Sequence, residues 1–222
     1  MNGRRALDER IESRRRAETV SALRRLATAR NGGPAGRPGT DGEEACDLCG
    51  NTIPADHRHL LQLDERQILC ACEACWALRS GDPELRPVGT RVEWLGDMRM
   101  SDEAWARLDV PIGLAFLMIS GESGSVVALY PSPAGATESE IDPLAWRALR
   151  EANPQLIGLE ADAEALIVNR LADPPQYAIA PIDECYRLVG AIKLAWEGIS
   201  GGDGPQAAAT SFLDELRERA AA

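Results

Sequence analysis

Short apolar runs dominate the second half of the sequence, and their lengths predict buried strands. The run at 112–120 is continuously apolar, and an apolar segment at 125–130 follows it after the turn residues Gly-Glu-Ser-Gly. Two such runs around a short turn predict a β-hairpin. A second strand pair is predicted at 165–170 and 177–181, on either side of an Asp-Pro-Pro turn.

Helical patterns fill the segments between and after these strands. Ser101 predicts the N-cap of a short helix through 108, and Asp142 predicts the N-cap of a helix that runs to about 153. Two further helices are predicted over 183–197 and 205–221. From 112 onward the order is strand, strand, helix, strand, strand, helix, helix. This order predicts an α+β class, with an antiparallel sheet and helices on one face.

Polar residues near the ends of these strands offer candidate interaction surfaces. The segment 130–140 lies between a strand and a helix, and its prolines predict a rigid loop with a polar, acidic rim. This loop is either a plain connection or a surface that receives a basic partner. Asn169, Arg170, Asp183 and Glu184 flank the second strand pair, where they form either a pocket edge or surface salt bridges.

Composition divides the chain into four segments. Residues 1–30, named here the basic arm, show a broken apolar stripe among arginines that predicts a helix. Glycine, proline and polar residues at 31–45 predict a flexible linker. Residues 46–98 contain most of the cysteines and are named the metal module. The α+β domain is predicted to cover 99–222.

The charge is unevenly distributed along the chain. The basic arm carries a net charge of +5, whereas the remaining 192 residues carry −16. An acidic body repels nucleic-acid phosphates, so no nucleic-acid partner is expected. No apolar run reaches the ~18–20 residues that span a bilayer, and no hydrophobic signal segment follows the start, which favours a cytoplasmic location.

Residues suited to catalysis are scarce. The chain has one lysine, Lys193, outside any phosphate-binding loop, and two histidines, His57 and His59. No glycine-rich dinucleotide fingerprint occurs. The sequence therefore assigns no catalytic residue and favours a protein that is not an enzyme.

The strongest motif is a pair of CxxC sequences within the metal module. Cys46 and Cys49 form the first pair, and Cys72 and Cys75 form the second. Strands predicted at 57–63 and 67–71 lie between the two pairs. A weaker strand is predicted at 90–95, after the second pair. A CxxC turn places two thiolates on one side of a tight knuckle, so two facing knuckles make a closed tetrahedral site of the zinc-ribbon type. We expect Gly50 to adopt a positive φ after the first knuckle.

Other potential ligands lie nearby. Cys70 precedes the second knuckle and is either a spare thiol or a ligand that exchanges with a knuckle cysteine. His57 and His59 alternate with Arg58 and share one strand face, where they line the polar side of the ribbon or act as ligands. Cys185 is interpreted as a core cysteine on a helix.

Spacing alone does not distinguish zinc from iron. A Cys₄ tetrahedron suits Zn²⁺ or a mononuclear iron centre, and rubredoxins also use two CxxC knuckles. Trp76, not glycine, follows the second knuckle, and the metal module lacks an aromatic cluster. These features favour zinc, with iron as the alternative.

Several stretches together resemble an actinobacterial family with a CxxC…CxxC module. They are Cys46-Asp-Leu-Cys-Gly50, His57-Arg-His-Leu-Leu61, Leu69-Cys-Ala-Cys72, Tyr130-Pro-Ser-Pro-Ala-Gly-Ala-Thr-Glu138, Val168-Asn-Arg170 and Pro181-Ile-Asp-Glu-Cys-Tyr-Arg-Leu-Val-Gly190. The resemblance runs from about Cys46 onward and excludes the basic arm. Members of that family tend to be encoded beside uptake NiFe-hydrogenase genes, so the resemblance implies a role in hydrogenase assembly, protection or electron transfer.

Three functions follow as expectations. The first is a metal-binding accessory or adaptor protein that contacts a hydrogenase subunit or maturation factor. The second is a rubredoxin-like iron protein that transfers electrons. The third is an enzyme whose α+β domain binds a small molecule near Arg170 and Glu184.

Overall fold

The computed structural model describes residues 44–132, 135–196 and 203–221. The basic arm and nearly all of the predicted linker lie outside the described residues. The strands are β1 (Glu44–Ala45), β2 (Thr52–Ile53), β3 (Arg58–Gln62), β4 (Gln67–Ala71), β5 (Leu85–Pro87), β6 (Glu93–Trp94), β7 (Leu114–Ile119), β8 (Val126–Ser132), β9 (Gly135–Glu140), β10 (Glu164–Asn169) and β11 (Gln176–Pro181). The helices are α1 (Glu73–Arg79), α2 (Asp102–Arg107), α3 (Pro143–Ala152), α4 (Ile182–Leu194) and α5 (Gly204–Ala220), with a 3₁₀ turn at Pro154–Gly158.

A six-stranded antiparallel sheet forms the centre of the fold. Its strand order is β6-β11-β10-β7-β8-β9. The strand pairs β7–β8 and β10–β11 are the two predicted pairs, and β10 also pairs with β7 to join them. The predicted α+β class with an antiparallel sheet is therefore confirmed.

Helices cover both faces of this sheet, whereas the sequence predicted them on one face. Neighbouring residues of β10 point into different cores: Ile167 packs with α4 and α5, while Leu166 packs with α3 and the 3₁₀ turn. A strand that is buried on both faces has no polar face, which is why its sequence is apolar without alternation.

The segment 130–140 is part of a hairpin, and the prediction of a rigid loop there is wrong. β8 extends to Ser132, and β9 pairs with it through Tyr130↔Thr137 and Ser132↔Gly135. β9 is one of the two outer strands of the sheet, and its sequence Gly-Ala-Thr-Glu-Ser-Glu shows no apolar pattern. Polar residues are common on edge strands because they discourage pairing with other chains.

The metal module carries a second, three-stranded sheet with the order β4-β3-β5. Leu61, Ile68 and Val88 of this module share a buried core with α4 and α5. β6, which lies before the predicted boundary at 98/99, pairs with β11 of the large sheet. The metal module therefore packs directly on the large sheet. Among the described residues, no helix is long and apolar enough to cross a bilayer.

Candidate metal centre

The two CxxC pairs converge on one point of the metal module. The sulfur atoms of Cys46, Cys49, Cys72 and Cys75 all lie within 4.8 Å of one another. We name this group the four-cysteine cluster. The Sγ atoms of Cys49 and Cys72 are 3.8 Å apart, and all four thiols are free. A tetrahedron with metal–sulfur bonds of about 2.3 Å has sulfur–sulfur edges of about 3.8 Å, so this separation fits a bound ion.

A tight turn shapes the first knuckle. The backbone N–H of Gly50 donates to the carbonyl of Cys46 at 2.8 Å, and the N–H of Cys46 donates to the carbonyl of Asn51 at 2.8 Å. Gly50 has a φ of +78°, as expected from the sequence. A Cβ atom at Gly50 would meet no other atom, so glycine is needed here for its backbone conformation and not for space.

The start of α1 shapes the second knuckle. Cys72 is the N-cap of α1, and its sulfur accepts a hydrogen bond from the backbone N–H of Cys75 at 3.4 Å. This helix was not predicted, although Glu73 in its first turn and Arg79 in its last turn both suit the helix dipole. One helical turn places the sulfurs of Cys72 and Cys75 on the same side of the chain.

Comparison of the sequence with protein families gives one match that covers most of the chain. The model of DUF5947, a family of unknown function, matches residues 45–220. The chain belongs to this family. Among curated proteins and solved structures, no significant match was found.

The DUF5947 match contains both the four-cysteine cluster and the large sheet. It begins one residue before Cys46 and leaves the basic arm outside. This range agrees with the resemblance seen in the sequence, which also starts near Cys46. The four clustered cysteines could bind a metal ion such as zinc, and the match makes this cluster part of the region that defines the family.

The thiols of the cluster differ in their affinity for protons. Burial raises the pKa of Cys46, but backbone N–H donors from both knuckles outweigh burial and lower this pKa to about 7. A backbone donor at Asn51 lowers the pKa of Cys49, but neighbouring thiols and burial give a net upward shift. Hydrogen bonds with the thiols of Cys49 and Cys72 raise the pKa of Cys75 to about 12.

These pKa shifts predict that metal binding releases protons. In the metal-free protein at pH 7, Cys49 and Cys75 are protonated, and both must lose the proton to bind a metal as thiolates. We expect at least two protons to be released for the ion that binds the four-cysteine cluster. The affinity of the cluster for Zn²⁺ should rise as the pH rises above 7. It should fall more steeply with pH below 7, where Cys46 also takes up a proton.

Calorimetric titration with Zn²⁺ in two buffers of different ionisation enthalpy measures this proton release. The variant Cys185→Ala is a matched control, because Cys185 is buried in the core between the large sheet and α4. It should release as many protons as the wild type. Release of fewer than two protons at pH 7 for the ion whose binding Cys49→Ser removes would contradict the assigned protonation states.

Cys70 is not one of the four clustered thiols, although it packs against them. It is 2% exposed, and burial followed by the charges of Asp47 and Glu44 raises its pKa to about 12. Its thiol groups with the rings of His57 and His59. His59 lies on β3, whereas His57 directly precedes this strand, which was predicted to begin at His57.

The polar residues that flank β10 and β11 do not form one pocket. Arg170 donates to the carbonyl of Met100 at 3.2 Å and pairs with Asp102, whereas Glu184 accepts from Arg187 and Arg219 at 2.6 Å each. β10 and β11 are antiparallel neighbours, so the residues that follow each of them lie at opposite ends of the strand pair. A small-molecule site shared by Arg170 and Glu184 therefore has no structural basis.

Proposed function

We propose that this protein is a metal-binding accessory protein and that Cys46, Cys49, Cys72 and Cys75 hold one structural Zn²⁺. The observation that carries this proposal is the grouping of four thiols within 4.8 Å of one another, with the Sγ atoms of Cys49 and Cys72 at the 3.8 Å expected for an edge of a zinc–thiolate tetrahedron. Four thiolates fill the coordination shell of zinc and leave no position for water or substrate. Such an ion stabilises the two knuckles and performs no Lewis-acid chemistry.

The surroundings of the cluster favour zinc over iron. Among the described residues, the apolar side chains packed around the cluster are Leu48, Ile53 and Cys70, without an aromatic ring. Trp76, which follows the second knuckle, packs instead with Leu60 and Leu85. A colourless protein would support zinc, whereas a red protein that bleaches on reduction would support a rubredoxin-like iron centre and an electron-transfer role.

The partner that we propose is a hydrogenase subunit or one of its maturation factors, in the cytoplasm. This part of the proposal rests on the resemblance to the family encoded beside uptake NiFe-hydrogenase genes. The charge distribution supports a contact through the basic arm, because that arm carries +5 on a chain whose remainder carries −16. Such binding should weaken with salt, since exposed charges are screened over about 8 Å at physiological ionic strength.

The proposed partner can be tested in the native host under hydrogenase-inducing conditions. We expect a tagged full-length chain to co-purify a hydrogenase component, and a deletion strain to lose hydrogen uptake. Complementation with Cys185→Ala should restore uptake, whereas complementation with Cys49→Ser should not. Removal of residues 1–30 should slow association more than it changes the fold.

Two results together would end this proposal. They are normal hydrogen oxidation by the deletion strain and the absence of any hydrogenase component from the purified material. If uptake is lost but Cys49→Ser restores it fully, the metal is not needed for the hydrogenase role.

A further inference from the structure

Strand pairing brings three further potential metal ligands together in the metal module. His59 on β3 lies directly opposite Cys70 on β4, and His57 lies two residues before His59 on the same face. The ligand atoms of His57, His59 and Cys70 lie within 4.8 Å of one another. We name these three residues the His-His-Cys cluster.

Oxygen acceptors fix the protonation of both rings at Nδ1. Nδ1 of His59 lies 2.7 Å from Oδ2 of Asp183, and Nδ1 of His57 lies 2.8 Å from the carbonyl oxygen of Pro54 and 3.2 Å from a carboxylate oxygen of Glu44. A carboxylate or carbonyl oxygen only accepts, so each Nδ1 must carry the proton and donate. In the neutral rings, each Nε2 is then an unprotonated acceptor.

These two Nε2 atoms face each other at 3.0 Å. Two lone pairs at this distance repel unless a cation lies between them, and the cation is either a proton or a metal ion. The rings are nearly perpendicular, with an interplanar angle of 82°. Two nitrogens on a tetrahedral ion with bonds of about 2.05 Å are about 3.3 Å apart, so a small movement of either ring accommodates a metal.

The charges around the two rings also favour a cation. Carboxylates of Glu44 and Asp183 contact the outer nitrogens, and the side chain of His57 is 6% exposed. The neighbouring Arg58 points away from this face, where it pairs with Glu73 and lies over the ring of Trp76. The histidine–carboxylate pair of His59 and Asp183 is the arrangement that orients metal-binding histidines in proteins.

We propose that His57, His59 and Cys70 bind a second transition-metal ion, distinct from the ion in the four-cysteine cluster. Two imidazoles and one thiolate suit a borderline ion such as Zn²⁺ or Co²⁺. Three protein ligands leave a fourth position for water or another small ligand, unlike the closed four-cysteine cluster. The side chain of His59 is 21% exposed, so this site is accessible from solvent.

The two sites are joined through the backbone. Asp47, which lies inside the first knuckle, accepts a hydrogen bond from the N–H of Cys70 at 2.7 Å, and its own N–H donates to the carbonyl of Cys70 at 2.8 Å. Cys70 and Cys72 are separated by Ala71 alone. Asp183 lies in the first turn of α4, so the second ion also links the metal module to the α+β domain.

Titration of the reduced, metal-free full-length chain with Co²⁺ tests this proposal. We expect two equivalents to bind, each with visible bands of tetrahedral Co²⁺ and with sulfur-to-metal charge-transfer absorption. Cys70→Ala should remove the charge-transfer absorption of one equivalent, and His59→Ala should abolish binding of that equivalent. Asp183→Asn should weaken the same equivalent by about 10–100-fold, because it removes the carboxylate that orients His59.

Matched variants separate the two sites. Arg58→Gln changes the residue between the two histidines on the opposite strand face, so it should leave both equivalents intact. Cys49→Ser should remove the ion bound by the four-cysteine cluster and keep the ion bound by the His-His-Cys cluster. This result does not depend on the hydrogenase partner proposed above. The proposal would be overturned if the wild type binds one equivalent, as a proton shared between the rings predicts. It would equally be overturned if His59→Ala and Asp183→Asn, folded by circular dichroism, bind both equivalents as tightly as the wild type.

Discussion

Replacing Cys49 or Cys72 with serine should release one metal ion and unfold the two knuckles, while the six-stranded sheet stays folded. Structural zinc contributes about 10–16 kcal/mol of binding free energy in zinc-finger peptides, and this free energy is coupled to folding. The knuckles have little other support among the described residues, because the buried residues packed against the cluster are Ile53 and Cys70.

Hydrogen exchange locates this unfolding. Protection should fall most over 44–53 and 72–79. Strands β3 and β4 should keep part of their protection, since Leu61 and Ile68 pack into the core of the α+β domain. The control is Cys185→Ala, which removes a thiol outside the cluster and should leave exchange at the knuckles unchanged. Unchanged protection of both knuckles in Cys49→Ser would show that the metal does not hold them together.

The largest loss of stability in the α+β domain is expected from Leu166→Ala. Leu166 is fully buried at the centre of β10, between Leu117 of β7 and Ile179 of β11. Truncation of a buried leucine to alanine costs about 2–5 kcal/mol, through lost apolar contact and the cavity left behind. We therefore expect the free energy of unfolding to fall by this amount in denaturant titration.

Metal content should not change in Leu166→Ala. Leu166 packs with α3 on the face of the sheet opposite α4, whereas the metal module shares its core with α4 and α5. Leu144→Ala is the matched control, because Leu144 is 63% exposed and its truncation should shift stability by less than about 0.5 kcal/mol. Equal losses in Leu166→Ala and Leu144→Ala would contradict the buried position of β10.

Local signals in the sequence predicted most of the elements. β4 was predicted over its full length, because apolar residues between turn residues mark a short strand. The Ser101 and Asp142 caps were also predicted, and both side chains accept backbone N–H bonds at the starts of α2 and α3. The four-cysteine cluster follows from CxxC spacing, which is itself local.

Features that depend on distant contacts were not predicted. β9 lacks an apolar pattern, so only its pairing with β8 reveals it. The approach of Asp183 to His59 joins residues 124 positions apart, and no local pattern records it. The sequence does contain a signal that helices cover both faces of the sheet. Its unbroken apolar runs leave no polar strand face for solvent.

The most direct test of the four-cysteine site is the number of metal ions per chain in protein purified from its native host, because recombinant thiolate sites load whichever metal is available. Elemental analysis should be made on the wild type, Cys49→Ser and Cys185→Ala together. We expect zinc in the wild type, the same number of ions in Cys185→Ala and one ion fewer in Cys49→Ser. Equal metal content in all three proteins would contradict the assignment of Cys46, Cys49, Cys72 and Cys75 as the ligands of a bound metal.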